Sequence, residues 1–437
     1  MQKKKHIMLN QHKNSLIKNL GVTFVETIIT KGINFVNILL LTRILGPENY
    51  GKYSLLYVSM IFFSGFFDFG MENTAVRFSV KEKSLKNSIF GFYFLTKFCI
   101  LAFITFIIAC FGGVIFAAFN KSDLIQYIPF LIFGLIGESL FFINDTYLQA
   151  MQQFKLRAVI NISRYLLSLI YISILVFNKI LLLKYVFFVY LIPLCFSVIF
   201  IFRYISFIKS FIRNKISNTL FQDILNYEKW MVNLSIGNNI LTRIDFFMIS
   251  FWVKYDQIGI YNAAFQLSSI VAFLPFILGK VMLPKMAELD ASETFIYVKK
   301  IVRPLMVLSV LIVCFIPFTA FIVPVLLGAE YKQSTLILQI LLFAFVILLV
   351  TVPYEQALYS LGKPKLISFA KYIQIFLIII LNTLTIPRYG ITWAAINTVI
   401  TRIITVFILY YLYINQKKLF ISQNDFSKES TELYGQT

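Results

Sequence analysis

Long apolar runs, separated by short polar connections, fill the chain from about residue 19 to about residue 414. A helix needs about 20 consecutive apolar residues to cross a bilayer, and runs of this length recur throughout the chain. A transmembrane β-barrel would instead show short segments of alternating polarity. The pattern therefore predicts an all-α integral membrane protein with about twelve transmembrane helices. The predicted spans are residues 19–44, 51–76, 88–117, 124–150, 157–177, 181–204, 227–252, 257–284, 303–328, 334–358, 366–386 and 391–414.

The distribution of charge favours a topology in which both termini are cytoplasmic. The chain has 40 Lys and Arg residues against 20 Asp and Glu residues, a formal net charge of +20. In a soluble protein this charge would indicate nucleic-acid binding, but here the basic residues concentrate in alternate connections between the apolar runs. The positive-inside rule assigns those connections to the cytoplasm. We therefore expect a multi-pass membrane protein that has no nucleic-acid partner.

The sequence contains little that suggests catalysis or a resident metal. Its four cysteines lie singly within apolar runs, without the spacing of a metal site or of a disulfide framework. The predicted outer loops have about ten residues or fewer, too short for the extramembrane sugar chemistry of a polysaccharide polymerase or ligase, and no phosphate-binding P-loop is present. We expect no enzyme activity, no metal site and no cofactor.

The two halves of the chain fall into register when one is displaced by about 208 residues. Gly51-Lys52-Tyr53 then meets Gly259-Ile260-Tyr261, and each half holds six predicted spans. Parallel repeats of this kind are related by an axis along the membrane normal and form a substrate site at their interface. The alternative is that any two polytopic halves share turn and basic-loop chemistry. We expect two six-helix lobes, residues 1–216 and 217–437, with a central cavity between them.

Polar residues form a stripe on one face of a helix in each half. Because polar groups are costly in lipid, such stripes are expected to line a cavity. In the first span the stripe repeats at i, i+4, i+8 and i+11, which is one face of a helix, and the seventh span repeats part of it at the same displacement. The two stripes are Glu26, Thr30, Asn34 and Asn37, and Asn238, Thr242 and Asp245.

Further charged residues lie within the predicted spans. The second span carries Ser64, Asp68 and Glu72 at i, i+4 and i+8, which predicts a second polar face. For the remaining charges two interpretations stay open, because they could line the cavity or join helices within a lobe. Asp245 could pair with Arg243, and Lys280 could extend to lipid headgroups. The other charges considered are Glu138, Asp145, Arg164, Glu355, Lys371 and Arg402.

Four segments resemble a known family: "TRILGPENYGKYSLL" (42–56), "FFDFGMENTAVRFSV" (66–80), "LTRIDFFMISFWVKYDQIGIYNAAFQL" (241–267) and "LYSLGKPKLISF" (358–369). They are similar to the polysaccharide-biosynthesis transporters, the O-antigen and capsule repeat-unit flippases of the multidrug/oligosaccharidyl-lipid/polysaccharide exporter superfamily. The resemblance implies two six-helix bundles around a central cavity, in a bacterial cytoplasmic (inner) membrane. It also implies that the protein moves an undecaprenyl-diphosphate-linked oligosaccharide from the inner to the outer leaflet by alternating access, coupled to H⁺ or Na⁺.

This function sets the expected partners and site residues. The partners are the lipid-linked glycan, membrane lipids, and the polysaccharide polymerase and chain-length machinery. A diphosphate requires cations together with neutral hydrogen-bond donors, and the coupling ion requires carboxylates. The residues expected to bind the diphosphate and sugars are Lys31, Asn34, Asn37, Arg164, Asn238, Thr242, Arg243, Lys280 and Lys371. Those expected to couple the ion are Glu26, Asp68, Asp145, Asp245 and Glu355.

The alternative function is that of a multidrug or small-molecule/ion antiporter of the same superfamily. Such a protein would favour an acidic and aromatic cavity with few cations. This sequence places residues of both charge signs on the predicted cavity helices, which favours an anionic lipid head.

Overall fold

The computed structural model describes residues 2–66, 68–180, 182–214, 217–287 and 289–434. Within these ranges the side chains of residues 2–18, 20, 83, 230, 234, 280–281, 283–284, 287 and 421–434 lie outside the description. The described residues form helices joined by short turns and no strand, which confirms the predicted all-α class. The α-helices are α1 Gln2–Phe66, α2 Met71–Lys81, α3 Lys86–Ala118, α4 Ile128–Ala150, α5 Phe154–Phe177, α6 Leu183–Val186, α7 Ile192–Ile199, α8 Ile201–Arg213, α9 Asn218–Trp252, α10 Tyr255–Ala287, α11 Ala291–Phe315, α12 Thr319–Leu327, α13 Ser334–Ser360, α14 Pro364–Tyr389 and α15 Ile391–Tyr434.

Length and apolarity identify nine helical stretches in the described part of the chain that could cross a membrane. A bent pair, Leu183–Ile199 with Ile201–Arg213, raises the number to ten if it forms one span. The outward faces of α3 and α11 suit lipid, because Phe103, Phe106 and Val310 are each more than 60% exposed. A multi-pass membrane protein is therefore confirmed, whereas the count of twelve spans stays a prediction.

A kink at Gly46 divides α1 into two arms. Gly46 has φ 66° and ψ 173°, a conformation that a residue with a Cβ rarely adopts, and Pro47 follows it. The arms correspond to the predicted spans 19–44 and 51–76. The second arm ends earlier than expected, because Gly70 at φ 80° starts a new helix. The prediction of one continuous helix through residue 76 is therefore wrong.

This break also changes the predicted polar face of the second span. Ser64 lies in α1, Asp68 lies in the turn after it, and Glu72 lies in the first turn of α2. The Asp68 carboxylate instead accepts a hydrogen bond of 3.3 Å from the backbone N–H of Glu72. Asp68 therefore satisfies one of the unpaired N–H groups at the start of α2. Hydropathy alone does not reveal this turn, because the surrounding residues are apolar.

The contacts divide the chain into two compact units. Unit 1 comprises Met1–Asn239 with Lys254–Gly259, and unit 2 comprises Ile240–Val253 with Ile260–Thr437. A core in unit 1 joins α2, α3, α4 and α8 through Met71, Phe90, Ile143 and Phe207, among others. A core in unit 2 joins α10, α11, α13 and α15, and includes Met282, Phe295, Tyr354 and Tyr413.

Residues with a positive φ recur in the two units at a nearly constant separation along the chain. The turn between α4 and α5 contains Gln152 at φ 56°, and the turn between α13 and α14 contains Gly362 at φ 71°. A positive φ also occurs at Asn120, where it is 54°, and at Gly328, where it is 107°. These pairs are 210 and 208 residues apart, close to the displacement that aligns the two halves of the sequence.

Candidate functional site

A polar cluster in unit 1, the Glu26 cluster, consists of Glu26 from α1, Asp145 from α4, and Arg157 and Asn161 from α5. The short turn between α4 and α5 reverses the chain, so that Asp145 near the end of α4 faces the first turns of α5. Arg157 binds the Asp145 carboxylate through Nε at 2.8 Å and Nη2 at 2.9 Å. Asn161 Nδ2 donates to Glu26 Oε1 at 2.6 Å and to Asp145 Oδ1 at 3.0 Å.

The Glu26 carboxylate is only partly satisfied within this cluster. Glu26 is buried, and its Oε2 atom accepts no hydrogen bond in the described part of the chain. The nearest positive group, Nη1 of Arg157, lies 3.8 Å from Oε2. Arg157 binds Asp145 with two short hydrogen bonds, so one guanidinium balances two carboxylates. The cluster carries an excess negative charge when both carboxylates are ionised.

Unit 2 contains a pair that corresponds to part of the Glu26 cluster. Lys371 Nζ lies 2.6 Å from Glu355 Oε1, which joins α13 to α14. Asp145 and Asn161 in unit 1 are sixteen residues apart, and Glu355 and Lys371 have the same separation. The second pair is balanced in charge, whereas Asn161 contributes only a neutral donor. The two predicted residues Glu355 and Lys371 are thus brought together in an ion pair.

Arg164 forms a second ion pair in unit 1. Its Nη2 atom lies 2.9 Å and 2.7 Å from the two carboxylate oxygens of Glu138. Its guanidinium also lies over the Phe141 ring, 4.4 Å from the centroid. Both Arg164 and Lys371 were expected to bind the substrate, and in this structure each guanidinium or ammonium group is neutralised by a carboxylate. Their contact with substrate stays a prediction.

Asp68 is held by residues of α3 that the sequence did not connect to it. Lys97 Nζ lies 2.6 Å from Asp68 Oδ1, and the Tyr93 hydroxyl donates to the same oxygen at 2.9 Å. Lys97 is buried in an otherwise apolar run of α3. A single buried lysine in such a helix requires a counter-charge, so this signal was available in the sequence. The identity of its partner depends on the turn that follows α1.

The Asp245 cluster lies in unit 2 and joins α9, α14 and α15. Asn382 Nδ2 donates to Asp245 Oδ1 at 3.0 Å, and Thr398 Oγ1 donates to Oδ2 at 2.8 Å. Asn397 extends the cluster by donating to Asn382 Oδ1 at 2.9 Å. The two side chains that bind Asp245 are therefore neutral. Polar residues inside the predicted eleventh and twelfth spans were a signal that sequence reasoning did not use.

Two arginines near Asp245 have other contacts. The guanidinium of Arg243 lies 5.3 Å from the centroid of the Phe265 ring. Arg402 donates from Nη1 to the carbonyl oxygen of Ala344 at 2.8 Å and lies over the Phe345 ring. Both arginines are thus adjacent to aromatic faces, a favourable position for a cation.

The remaining predicted site residues differ in exposure. Asn37 is buried, and its Oδ1 atom has no hydrogen-bond donor among the residues that the structure describes. Asn34 is half-buried, whereas Lys31, Asn238 and Thr242 are exposed. The Lys280 side chain lies outside the described residues.

A third cluster, the Tyr255 cluster, lies among the predicted outer connections. Lys52 Nζ is 3.1 Å from both Glu48 Oε1 and Asp123 Oδ2, and the Tyr255 hydroxyl donates to Asp123. Lys121 lies over the Tyr255 ring at 4.6 Å. Burial lowers the pKa of the Lys121 ammonium, although the charges of Asp123 and Asp256 act in the opposite direction.

Glycine permits a close backbone contact beside this cluster. A Cβ at Gly51 would overlap the carbonyl of Tyr255, and a Cβ at Gly259 would overlap the carbonyl of Pro47. The two equivalent Gly-X-Tyr segments of the sequence therefore meet at their glycines, where no side chain fits.

Comparison with known proteins identifies the family of the chain. A family model described as polysaccharide biosynthesis protein matches residues 16–290, which is more than half of the chain. The chain belongs to this family. The predicted resemblance to the polysaccharide-biosynthesis family is thereby confirmed.

One similar curated protein is the probable low-salt glycan biosynthesis flippase Agl15 of Haloferax volcanii. It is 23% identical over 185 residues, which cover 41% of this chain and 39% of Agl15. The present chain thus spans about two fifths of the length of the curated relatives that it matches.

Solved transporters share the fold. The lipid II flippase MurJ in an inward closed conformation gives a TM-score of 0.72 with 16% identity, covering 89% of this chain and 86% of MurJ. An inward-facing multidrug resistance MATE family transporter gives a TM-score of 0.65 with 12% identity, covering 89% of this chain and 96% of the transporter.

Proposed function

We propose that this chain is a flippase that moves an undecaprenyl-diphosphate-linked oligosaccharide repeat unit from the inner to the outer leaflet of the cytoplasmic membrane by alternating access. Membership of the polysaccharide biosynthesis protein family supports a glycan substrate. The likeness to a glycan biosynthesis flippase and to the fold of a lipid II flippase supports transbilayer movement of a lipid-linked glycan. The positive-inside distribution supports cytoplasmic termini.

The observation that carries the proposal of ion coupling is the surroundings of Asp245. Its two carboxylate oxygens are bound by neutral donors, Asn382 and Thr398, within helices of a membrane protein. A carboxylate without a paired cation is costly in such surroundings. Binding of H⁺ or Na⁺ removes that cost, so the occupied and empty states differ in energy. Movement of one charge across 100 mV supplies about 2.3 kcal/mol, enough to shift a conformational equilibrium.

Glu26 is the corresponding carboxylate of unit 1. Its Oε2 atom is buried without a hydrogen-bond donor in the described structure, and its neighbour Arg157 already binds Asp145. A proton or a cation at Oε2 would satisfy this oxygen and remove the excess negative charge of the Glu26 cluster. We therefore assign ion coupling first to Asp245 and Glu26.

The diphosphate requires cations that the protein's own carboxylates do not neutralise. Arg164 and Lys371 lie in ion pairs with Glu138 and Glu355. Contacts between these two cations and a diphosphate would have to compete with those carboxylates. Lys31 is exposed and Arg243 is half-buried, so both are accessible to a diphosphate.

A multidrug or small-molecule/ion antiporter is the second candidate function. The observation in its favour is the shared fold of the multidrug resistance transporter, which extends over 89% of this chain. Ion coupling at Asp245 would serve either function, so the substrate separates the two.

Deletion of the gene in its source organism tests the proposal. We expect lipid-linked oligosaccharide repeat units to accumulate on the inner leaflet and surface glycan to be lost, and the wild-type gene to restore both. Normal surface glycan together with increased sensitivity to cationic drugs would contradict the flippase and support the antiporter.

A further inference from the structure

The short helix α2 has two chemically different faces. Met71, Thr74, Ala75, Phe78 and Ser79 are buried against unit 1. The opposite face is exposed and carries Asn73, Arg77 and Lys81, spaced one helical turn apart. The helix lies between the candidate spans Gly21–Phe66 and Lys86–Ala118 and belongs to neither of them. A stripe of this polarity is suited to water rather than to lipid.

Arg77 is held in place by an aromatic ring from α9. Its guanidinium lies over the Tyr227 ring, 4.3 Å from the centroid, and both residues belong to unit 1. In the part of the chain that the structure describes, this guanidinium makes no hydrogen bond and no ion pair. Stacking orients the planar group while its N–H donors stay available.

The acidic side chain next to Tyr227 on α9 is directed elsewhere. Glu228 follows Tyr227 in the chain, and its Oε2 atom accepts a hydrogen bond from the Thr74 hydroxyl on the buried face of α2. Asp68 and Glu72 lie at the start of the helix, where Asp68 is bound to Lys97. Glu228 therefore contacts the buried face of α2, and Asp68 and Glu72 lie at its N-terminal end. Glu82 ends the helix next to Lys81, but in the described structure it forms no ion pair with Lys81 or Arg77.

Arg77 and Lys81 lie at i and i+4 of the same helix. Residues at this spacing have Cβ atoms about 5–6 Å apart, and two like charges there destabilise a helix. An anion that binds between them removes this repulsion. Two linked phosphates offer one oxygen-rich group to each cation, and the planar guanidinium fork matches phosphate geometry. Asn73, one turn earlier, adds a neutral donor.

We infer that Asn73, Arg77 and Lys81 form a docking site for the diphosphate of the lipid-linked substrate, with Tyr227 holding the Arg77 guanidinium in position. The inference rests on the proposed function and adds a place of first contact to it. In the orientation with cytoplasmic termini, α2 lies at the cytoplasmic side, where the substrate begins its path. Tyr227 is a positioning residue, because it acts through Arg77.

Binding of undecaprenyl diphosphate to the full-length protein in phosphatidylcholine nanodiscs tests this site. We expect Arg77→Gln to weaken binding about tenfold or more, because charge-assisted hydrogen bonds are lost. Arg77→Lys keeps the charge but loses the fork and the stacking, so it should weaken binding less. Tyr227→Leu should weaken it about two- to fivefold. Arg213→Gln, which removes an exposed arginine of the same unit, is the matched control and should leave the affinity unchanged.

The outcomes separate this inference from the function on which it rests. Equal affinity of wild-type protein and Arg77→Gln for undecaprenyl diphosphate overturns the docking site and leaves the flippase proposal intact. Displacement of the probe by an equal concentration of phosphatidylglycerol also overturns it, because the site would then be one for lipid headgroups. Absence of binding to the wild-type protein overturns the proposed function and this inference together.

Discussion

Glu26 of α1 accepts a hydrogen bond of 2.6 Å from Asn161 of α5, although 135 residues separate them in the chain. The bond satisfies one carboxylate oxygen, while the other is buried without a donor in the described structure. The short bond thus comes from a neutral amide, and Nη1 of the Arg157 guanidinium lies 3.8 Å from the other oxygen. The residue of unit 2 that lies 210 positions after Asn161 is Lys371, whose ammonium pairs with Glu355.

We expect Glu26→Gln to abolish export while the protein stays in the membrane at normal abundance. The substitution keeps the size of the side chain and removes the charge that we propose to bind the coupling ion. Surface glycan and protein abundance measured in a complemented deletion strain check this. Glu48→Gln is the matched control, because Glu48 is an exposed glutamate of the same helix. Normal surface glycan in the Glu26→Gln strain would refute the assignment.

Thr398→Val should strengthen ion binding at Asp245, because a carboxylate with an unsatisfied oxygen gains more from a bound proton or cation. The substitution removes the hydroxyl that donates to Asp245 Oδ2 and leaves a carboxylate oxygen unsatisfied, at a cost of about 1–3 kcal/mol. The measurement is the increase in Tm of the purified protein on addition of Na⁺ or on acidification. Thr405→Val serves as control, because the Thr405 hydroxyl donates only to the carbonyl of Thr401 within α15. We expect a larger ion-induced shift for Thr398→Val than for Thr405→Val, and equal shifts in both variants would show that Thr398 does not influence ion binding at Asp245.

Lys97→Met should destabilise the protein by about 3–5 kcal/mol, because it leaves the Asp68 carboxylate without its cation. The double variant Lys97→Met with Asp68→Asn should recover much of that loss, because no unpaired charge remains. Thermal unfolding in detergent measures both. The interpretation fails if the single variant is as stable as the wild-type protein, or if the two substitutions have additive effects.

Gly51→Ala should lower Tm, because the added Cβ overlaps the carbonyl of Tyr255. Gly32→Ala is the matched control on the same helix, where a Cβ meets nothing within 4 Å. In a helix alanine is favoured over glycine by about 1 kcal/mol, so the control should be neutral or stabilising. A Gly51→Ala protein as stable as the control would contradict the close contact between the two segments.

The membrane class and most helix positions followed from hydropathy, since a bilayer-spanning helix has a length that the sequence displays directly. The end of α1 at Phe66 did not, because it depends on the left-handed backbone at Gly70 within an apolar stretch. The partners of Asp245 were also missed. Asn382 and Thr398 lie 137 and 153 residues away, and only the packing of α9, α14 and α15 brings them to the carboxylate.

For some site residues the sequence indicated the residue but not the side chains that it contacts. Arg164 was recognised as a charge within a predicted span, yet its pairing with Glu138 depends on how α4 and α5 pack. The position of Arg77 over the Tyr227 ring likewise depends on the approach of α9 to α2. The type of a residue and its approximate position within a membrane span can be predicted from a sequence, but contacts between helices that are distant in the chain cannot.

Transbilayer movement of an undecaprenyl-diphosphate-linked oligosaccharide in proteoliposomes, with an imposed Na⁺ or H⁺ gradient, tests the central claim most directly. We predict that the wild-type protein moves the lipid-linked oligosaccharide to the opposite leaflet in response to one of these gradients and that Asp245→Asn does not. The result that would contradict the account is the absence of movement by well-folded wild-type protein under both gradients, or equal gradient-driven movement by Asp245→Asn.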